Sequence, residues 1–168
     1  MSIIYTNRLT LRPFKREDAK AMYKNWTYDE RVARYCRWYP HKSISETEDY
    51  LKMCIEAEHC WAITLNDTDE PIGCIDLVGV NTFGVHEIGY VLSYDHWGKG
   101  IMTEAVKAVI EELFRSGFDK IGACHCIDNP ASGRVMEKCG MTYLRNCMAQ
   151  RKFGSDEQCE VKCYEISR

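Results

Sequence analysis

The stretch from Glu87 to Gly117 restricts this chain more than any other part of it. A strand-like run, Glu87-Ile88-Gly89-Tyr90-Val91-Leu92, passes through Ser93-Tyr94-Asp95-His96-Trp97 into Gly98-Lys99-Gly100-Ile101-Met102-Thr103. Ala105, Val106, Val109, Ile110, Leu113 and Phe114 then recur at the 3.6-residue period of an amphipathic helix, which Arg115 and a Gly117 cap close. Two glycines at the junction let the backbone approach a ligand closely. The unpaired N–H groups of the first helical turn, reinforced by the helix dipole, make an anion site suited to phosphates. A bare strand-to-helix turn would use the same glycines. A dinucleotide fingerprint would need a third glycine where Thr103 stands, and in a Walker loop the lysine would end the motif, whereas Lys99 lies between the glycines.

The flanking sequence reads as one α/β domain over residues 1–168, with a mixed sheet and no linker or repeat. Leu9 and Leu11 alternate with Arg8, Thr10 and Arg12 up to Pro13, which predicts a short first strand, with a helix from Arg16. From Asn25 to Ser45 the chain is aromatic and basic, including Trp26, Trp38, Arg31, Arg34, Arg37 and Lys42, and reads as short helices with loops. Ser45 with Glu48 is a capping-box signature for a helix to about Glu58. Strands follow at Cys60–Leu65, Ile72–Val80 and Val85–Leu92. After the long helix come a strand at Ile121–Ile127 and a short helix capped by Asn129-Pro130 and closed by Gly140. A long hairpin, Met141–Phe153 and Gln158–Ile166, ends the chain.

Composition removes other classes. The 168 residues are 45% hydrophobic and 28% charged with a net charge of -3, which argues against disordered, fibrous and nucleic-acid-binding chains. No run reaches the roughly 18 apolar residues of a membrane span, and the N-terminus lacks the pattern of a signal peptide. A cytoplasmic protein is expected. Ten cysteines, at 36, 54, 60, 74, 124, 126, 139, 147, 159 and 163, lie mostly in apolar stretches and read as small hydrophobic filler. A zinc site from Cys124, Cys126, Cys159 and Cys163 lacks paired C-x2-C spacing, so no metal is expected.

Several pieces in order carry a resemblance: Thr6-Asn7-Arg8-Leu9-Thr10-Leu11-Arg12-Pro13, Glu87-Ile88-Gly89-Tyr90, Trp97-Gly98-Lys99-Gly100 with Thr103-Glu104-Ala105, Asn129-Pro130-Ala131-Ser132 and Glu137-Lys138-Cys139-Gly140-Met141. Over nearly its whole length the chain resembles the GNAT superfamily of N-acetyltransferases, in its RimJ/RimL-like branch. The family's pyrophosphate motif falls on Trp97 to Met102, with Trp97 in place of Gln or Arg and Met102 where Gly or Ala is usual. The resemblance implies a mixed, mostly antiparallel sheet flanked by helices, and acetyl-CoA lying in a V-shaped opening between the strands at 85–92 and 121–127. Backbone groups of Val91, Leu92 and Ser93 would pair with the pantetheine arm. N–H groups of Gly98, Lys99, Gly100, Ile101, Met102 and Thr103, beside Trp97, would hold the pyrophosphate.

Glu87 lies among apolar neighbours on a strand face with Gly89 and Val91, where a carboxylate is costly to bury. With the resemblance it becomes the candidate general base, while His86 on a regular strand points the other way. Asn129 is first an N-cap that can also contact pantetheine. The tyrosine that many relatives use to protonate the leaving thiolate is replaced by Met136, which leaves Ser132 as the candidate for the hydrogen bond to the CoA sulfur. A covalent route through Cys124, Cys126 or Cys139 would need an activating neighbour. The segment Trp26–Lys42 is expected to wall the acceptor pocket, with Tyr164 either near it or in the core. The expected reaction is direct acetyl transfer to a primary amine by a monomer or homodimer. An α-amine, with a reference pKa of about 7.7 to 8.0 against about 10.4 for lysine, needs the least help from a base, so a protein N-terminus is the first acceptor considered. Small amines are an alternative, as is a non-catalytic acyl-CoA-binding module.

Overall fold

The computed structural model describes residues 1–168 as eight strands in one sheet and five helices. The strands are β1 (Ile4–Tyr5), β2 (Leu9–Pro13), β3 (Cys60–Leu65), β4 (Pro71–Val80), β5 (His86–Leu92), β6 (Lys120–Cys126), β7 (Thr142–Gln150) and β8 (Gln158–Ser167). The helices are α1 (Ala19–Met22), α2 (Glu30–Ala33), α3 (Ile44–Glu56), α4 (Ile101–Arg115) and α5 (Pro130–Lys138). A 3-10 turn at Arg16–Asp18 leads into α1, and a π turn at Tyr23–Thr27 follows it. The sheet order is β1-β2-β3-β4-β5-β6-β8-β7, so the last strand slots between β6 and β7. Every neighbouring pair is antiparallel except β5 and β6, which are parallel.

Both faces of the sheet are covered, which explains why β3 is apolar from Cys60 through Ile63 with no polar alternation. Its residues alternate between two cores. Trp61 and Ile63 join Leu9, Leu11, Ile75, Ile88 and Ile121 beneath α4 and α5. Cys60 and Ala62 join Cys74, Met22, Trp26, Leu51 and Cys54 beneath α1 to α3. Helix α4 buries Ile101, Met102, Ala105, Val106, Val109, Ile110 and Leu113 along one stripe. It closes as expected: Gly117 has φ 97°, and the Phe118 N–H reaches back to the Leu113 carbonyl at 3.1 Å.

Two expectations are corrected and one element is added. Helix α3 is capped by Ser43, not Ser45: the Ser43 hydroxyl accepts from the Glu46 N–H, and a Glu46 carboxylate oxygen accepts from the Lys42 N–H. The sequence Ser43-Ile44-Ser45-Glu46-Thr47-Glu48 offers two overlapping boxes. Thr47 lies on the inner face of this helix, where its buried hydroxyl meets Thr27 and His41 at 2.8 Å each. The two-residue strand β1 was not foreseen. Strand β7 stops at Gln150 because the next residues leave the ladder: the Phe153 N–H donates to the Arg37 carbonyl, and Lys152 Nζ donates to the carbonyls of Ala33, Cys36 and Trp38.

Candidate active site

The opening begins where β5 and β6 part. Their register has two pairs, His86 with Ile121 and Glu87 with Gly122, and beyond Glu87 β5 runs on without β6. Along β5 the hydrogen-bonding direction alternates. The Ser93 N–H donates to the Ile72 carbonyl of β4 at 2.8 Å, so Ser93 and, by alternation, Val91 face β4. That corrects the expectation that all of Val91, Leu92 and Ser93 face the opening through their backbone. Tyr90 and Leu92 are the residues that turn theirs to it, and the Leu92 carbonyl is already taken by the Trp97 indole at 2.8 Å.

Past the strand, Gly98 and Gly100 hold φ 75° and 73°, left-handed values that only glycine adopts readily. The backbone N–H groups of Gly98, Lys99, Gly100, Ile101, Met102 and Thr103 have no acceptor in the protein. They converge at the positive end of α4, an arrangement that fits a pyrophosphate. Met102 does not obstruct it, because its side chain is 7% exposed and packs in the core beneath α4. The turn is held from outside by Arg8. Its Nε donates to Glu104 at 2.7 Å and its Nη1 to the Lys99 carbonyl at 3.0 Å, while the Thr6 hydroxyl donates to the same Glu104. This is the physical content of the Arg8-Leu9-Thr10-Leu11 pattern at the start of the chain.

Glu87 and Ser132 lie on opposite faces of the parting strands. Glu87 is half-buried on the α1–α3 face, with Oε1 accepting from Asn81 Nδ2 at 3.0 Å. His86 turns the other way, against the Phe118 ring at 4.9 Å. Ser132 stands in the first turn of α5, where the Asn129 side chain caps its N–H, so the N-cap expectation for Asn129 holds. Sequence reasoning missed Tyr90. Its hydroxyl lies 2.8 Å from Ser132 Oγ and 3.0 Å from the Ser132 carbonyl. Burial raises the phenol's pKa, so it stays protonated and can act as a donor. When Tyr90 donates to Oγ, the serine proton is free to point at a sulfur.

Asp76 was also missed. It is the register partner of Gly89 on the face of Glu87, and its carboxylate has neither a salt bridge nor a side-chain hydrogen bond. Burial pushes its carboxyl up to about 7. The same face carries part of the aromatic segment: Trp26 and Val32 lie in its core, with Trp38 and Tyr50 packed against it. Tyr35 and Tyr94 flank Trp97, with centroids 6.2 and 5.0 Å away, so the aromatic segment also braces the anion-binding turn. Tyr164 belongs to the core instead; it is 4% exposed and donates to Glu137.

Cys124, Cys126 and Cys139, the three thiols considered for a covalent route, are not activated as nucleophiles. Burial pushes Cys124 and Cys139 up to about 11 and Cys126 up to about 12, so these thiols stay protonated near neutral pH. His125 cannot activate Cys124 or Cys126, since it points to α5, where Gly133 makes room for its ring. No group of three or more His, Cys, Asp or Glu side chains is arranged to hold a metal ion.

Comparison with known proteins agrees with this geometry. Residues 8–142 match the family model described as the acetyltransferase (GNAT) domain. An N-acetyltransferase of Bacillus licheniformis, p20, is 35% identical over 69% of this chain and 68% of its own. The ribosomal-protein-serine acetyltransferase of Escherichia coli is 34% identical over 57% of this chain and 54% of its own. The crystal structure of a GNAT-family acetyltransferase from Bacillus anthracis superposes with a TM-score of 0.84 at 25% identity, covering 99% of this chain and 98% of that one. With its parted β5 and β6 and the bare N–H row at α4, the chain belongs to the GNAT acetyltransferases and is an acetyl-CoA-dependent N-acetyltransferase.

Proposed function

We propose that this enzyme acetylates the α-amine of a protein or peptide N-terminus by direct attack within a ternary complex. The observation that carries the reading is the placement of Glu87 and Ser132 on opposite faces of one opening. An amine arriving from the α1–α3 side meets a carboxylate, and a sulfur leaving toward α5 meets a hydroxyl. Bound acetyl-CoA supplies an acyl carbon activated as a thioester. Gly98 to Thr103 would bind its pyrophosphate through backbone N–H groups, and the outward backbone of Tyr90 and Leu92 would align its pantetheine arm. Glu87 Oε2, which has no protein partner, takes the proton lost by the amine as the nitrogen–carbon bond forms and the carbon–sulfur bond breaks. Ser132, held by Tyr90, donates a hydrogen bond to the departing thiolate.

The likeness to a ribosomal-protein-serine acetyltransferase supports the α-amine as acceptor. A polyamine is the second reading, favoured by the two carboxylates, Asp76 and Glu87, that share the acceptor face. Calorimetric titration with acetyl-CoA, with NADH and ATP as controls, tests the donor site, and micromolar selective binding is expected. CoA-thiol release with a serine-starting peptide and with spermine then decides the acceptor. Turnover of the peptide alone supports the first reading, turnover of spermine alone replaces it with the second, and turnover of neither overturns both.

A further inference from the structure

Asn81, in the loop between β4 and β5, makes four hydrogen bonds inside the five-residue span 81–85 and one beyond it. Its backbone N–H donates to the Val85 carbonyl and its carbonyl accepts from the Gly84 N–H. Its side-chain Oδ1 accepts from the Phe83 N–H at 2.9 Å and the Val85 N–H at 3.1 Å. A carboxamide has an oxygen at one end and an NH2 at the other. Two backbone donors on the oxygen therefore fix which way round the group sits, and its NH2 must face Glu87 Oε1 at 3.0 Å. A separate observation closes the other side. Gly122 is the parallel register partner of Glu87, and a Cβ built there would lie 3.2 Å from Glu87 Cγ, 3.3 Å from Val85 Cγ1 and 3.7 Å from Asn81 Nδ2. The missing side chain at 122 leaves room for Glu87 and Val85, with the Asn81 amide in contact beside them.

We propose that Asn81 is a positioning residue that ties down Oε1 of Glu87 and so presents Oε2 to the acceptor amine, with Gly122 keeping the pair uncrowded. The proposal rests on Glu87 being the base. As the amine attacks, Oε2 receives one proton, and the Asn81 amide donates to Oε1 before and after. Other groups around Glu87 set the background for this contact. Cys124 of β6 and Cys163 of β8 are close enough to interact with it electrostatically, and Arg37 acts on Cys124. Asp76 of β4 shares its face, Arg145 of β7 lies over the Phe83 ring at 3.5 Å, and His86 faces away against Phe118.

Asn81→Asp is the discriminating variant. Its carboxylate can still accept from Phe83 and Val85, so the turn survives, but it sets a second negative charge against Oε1. In the full chain without ligand, the Glu87 carboxyl followed by carbon NMR should titrate about one pH unit higher than in the wild type. The acidic limb of kcat/KM for CoA-thiol release, with the peptide or spermine as probe, should rise by the same amount. Acetyl-CoA affinity should not change. Gly122→Ala, which crowds Glu87 and Val85 from β6 while leaving every hydrogen-bonding group of Asn81 in place, should lower kcat about fivefold with KM for acetyl-CoA unchanged, and it decides the matter if Asn81→Asp does not fold. A wild-type Glu87 titration in folded Asn81→Asp, or wild-type kcat in Gly122→Ala, overturns the proposal. Glu87→Gln separates the two claims. Full turnover in that variant removes Glu87 as base, whereas loss of turnover alongside an unmoved titration in Asn81→Asp removes only Asn81.

Discussion

In the proposed reaction the turn from Ser93 to Thr103 and the wall facing Glu87 would serve the same opening, but the first is made of backbone and the second of side chains. On the donor side, the groups that would meet acetyl-CoA come from one continuous stretch, two left-handed glycines with a row of bare N–H groups. On the acceptor side, Tyr50 comes from α3, Asp76 from β4 and Glu87 from β5, and the loop after α2 is pinned by Lys152 from the far hairpin. A backbone site can be specified by a few neighbouring residues. A side-chain site needs the whole sheet to be in register first, so the donor site can stay constant while the acceptor wall changes.

The contrast can be broken from either side. Glu87→Gln should have the largest effect, lowering kcat about 100-fold or more while the calorimetric affinity for acetyl-CoA stays at the wild-type value. Weakened affinity would show that the two sides are not separable. Gly100→Val should do the reverse. A β-branched residue at φ 73° costs about 1–2 kcal/mol. Acetyl-CoA binding should weaken about tenfold, with the Glu87 titration unmoved.

Asp76 sharpens the picture through pH. Its folded pKa, about 7, lies above the unfolded value of about 3.9, so the folded state is favoured below pH 4 and loses that advantage as pH rises through 7. Asn at this position should therefore stabilise the protein by about 1–2 kcal/mol at pH 8 and by nothing near pH 4. Thermal melts at the two pH values check this, and equal shifts at both would mean that Asp76 is not held apart from water. The smallest effect is expected for Tyr90→Phe, a fall in kcat of about threefold from one lost hydrogen bond. Single-turnover measurements should place it in the chemical step and leave acetyl-CoA affinity unchanged.

Most of the donor side was legible because its determinants are local. The Gly98-Lys99-Gly100 turn, the stripe of α4 and the Asn129-Pro130 cap each lie within a few residues of what they control. Glu87 was legible because a carboxylate inside an apolar strand is conspicuous, and Asp76 carried the same signal within Pro71–Val80. Asn81 was signalled only by its place before Gly84 in a strand-to-strand turn. Tyr90 and the inward slot of β8 depend on which strands become neighbours, and that is settled by packing across the whole sheet. The two overlapping capping boxes before α3 show the limit on a small scale. Both satisfy the local rule, and the buried hydroxyl of Thr47, bonded to Thr27 and His41, selects one.

With only two register pairs between β5 and β6, the sheet is nearly two sheets, β1 to β5 and β6 to β8, sharing the helices above them. Amide hydrogen exchange should reveal this seam. In the free protein the Tyr90 and Leu92 amides, turned toward the gap, should exchange far faster than those of Val91 and Ser93, which donate toward β4. A pantetheine arm lying along β5 would protect them as a neighbouring strand does, so the acetyl donor would also complete the sheet, linking in one cooperative unit the half that carries Glu87 and the half that leads into Ser132.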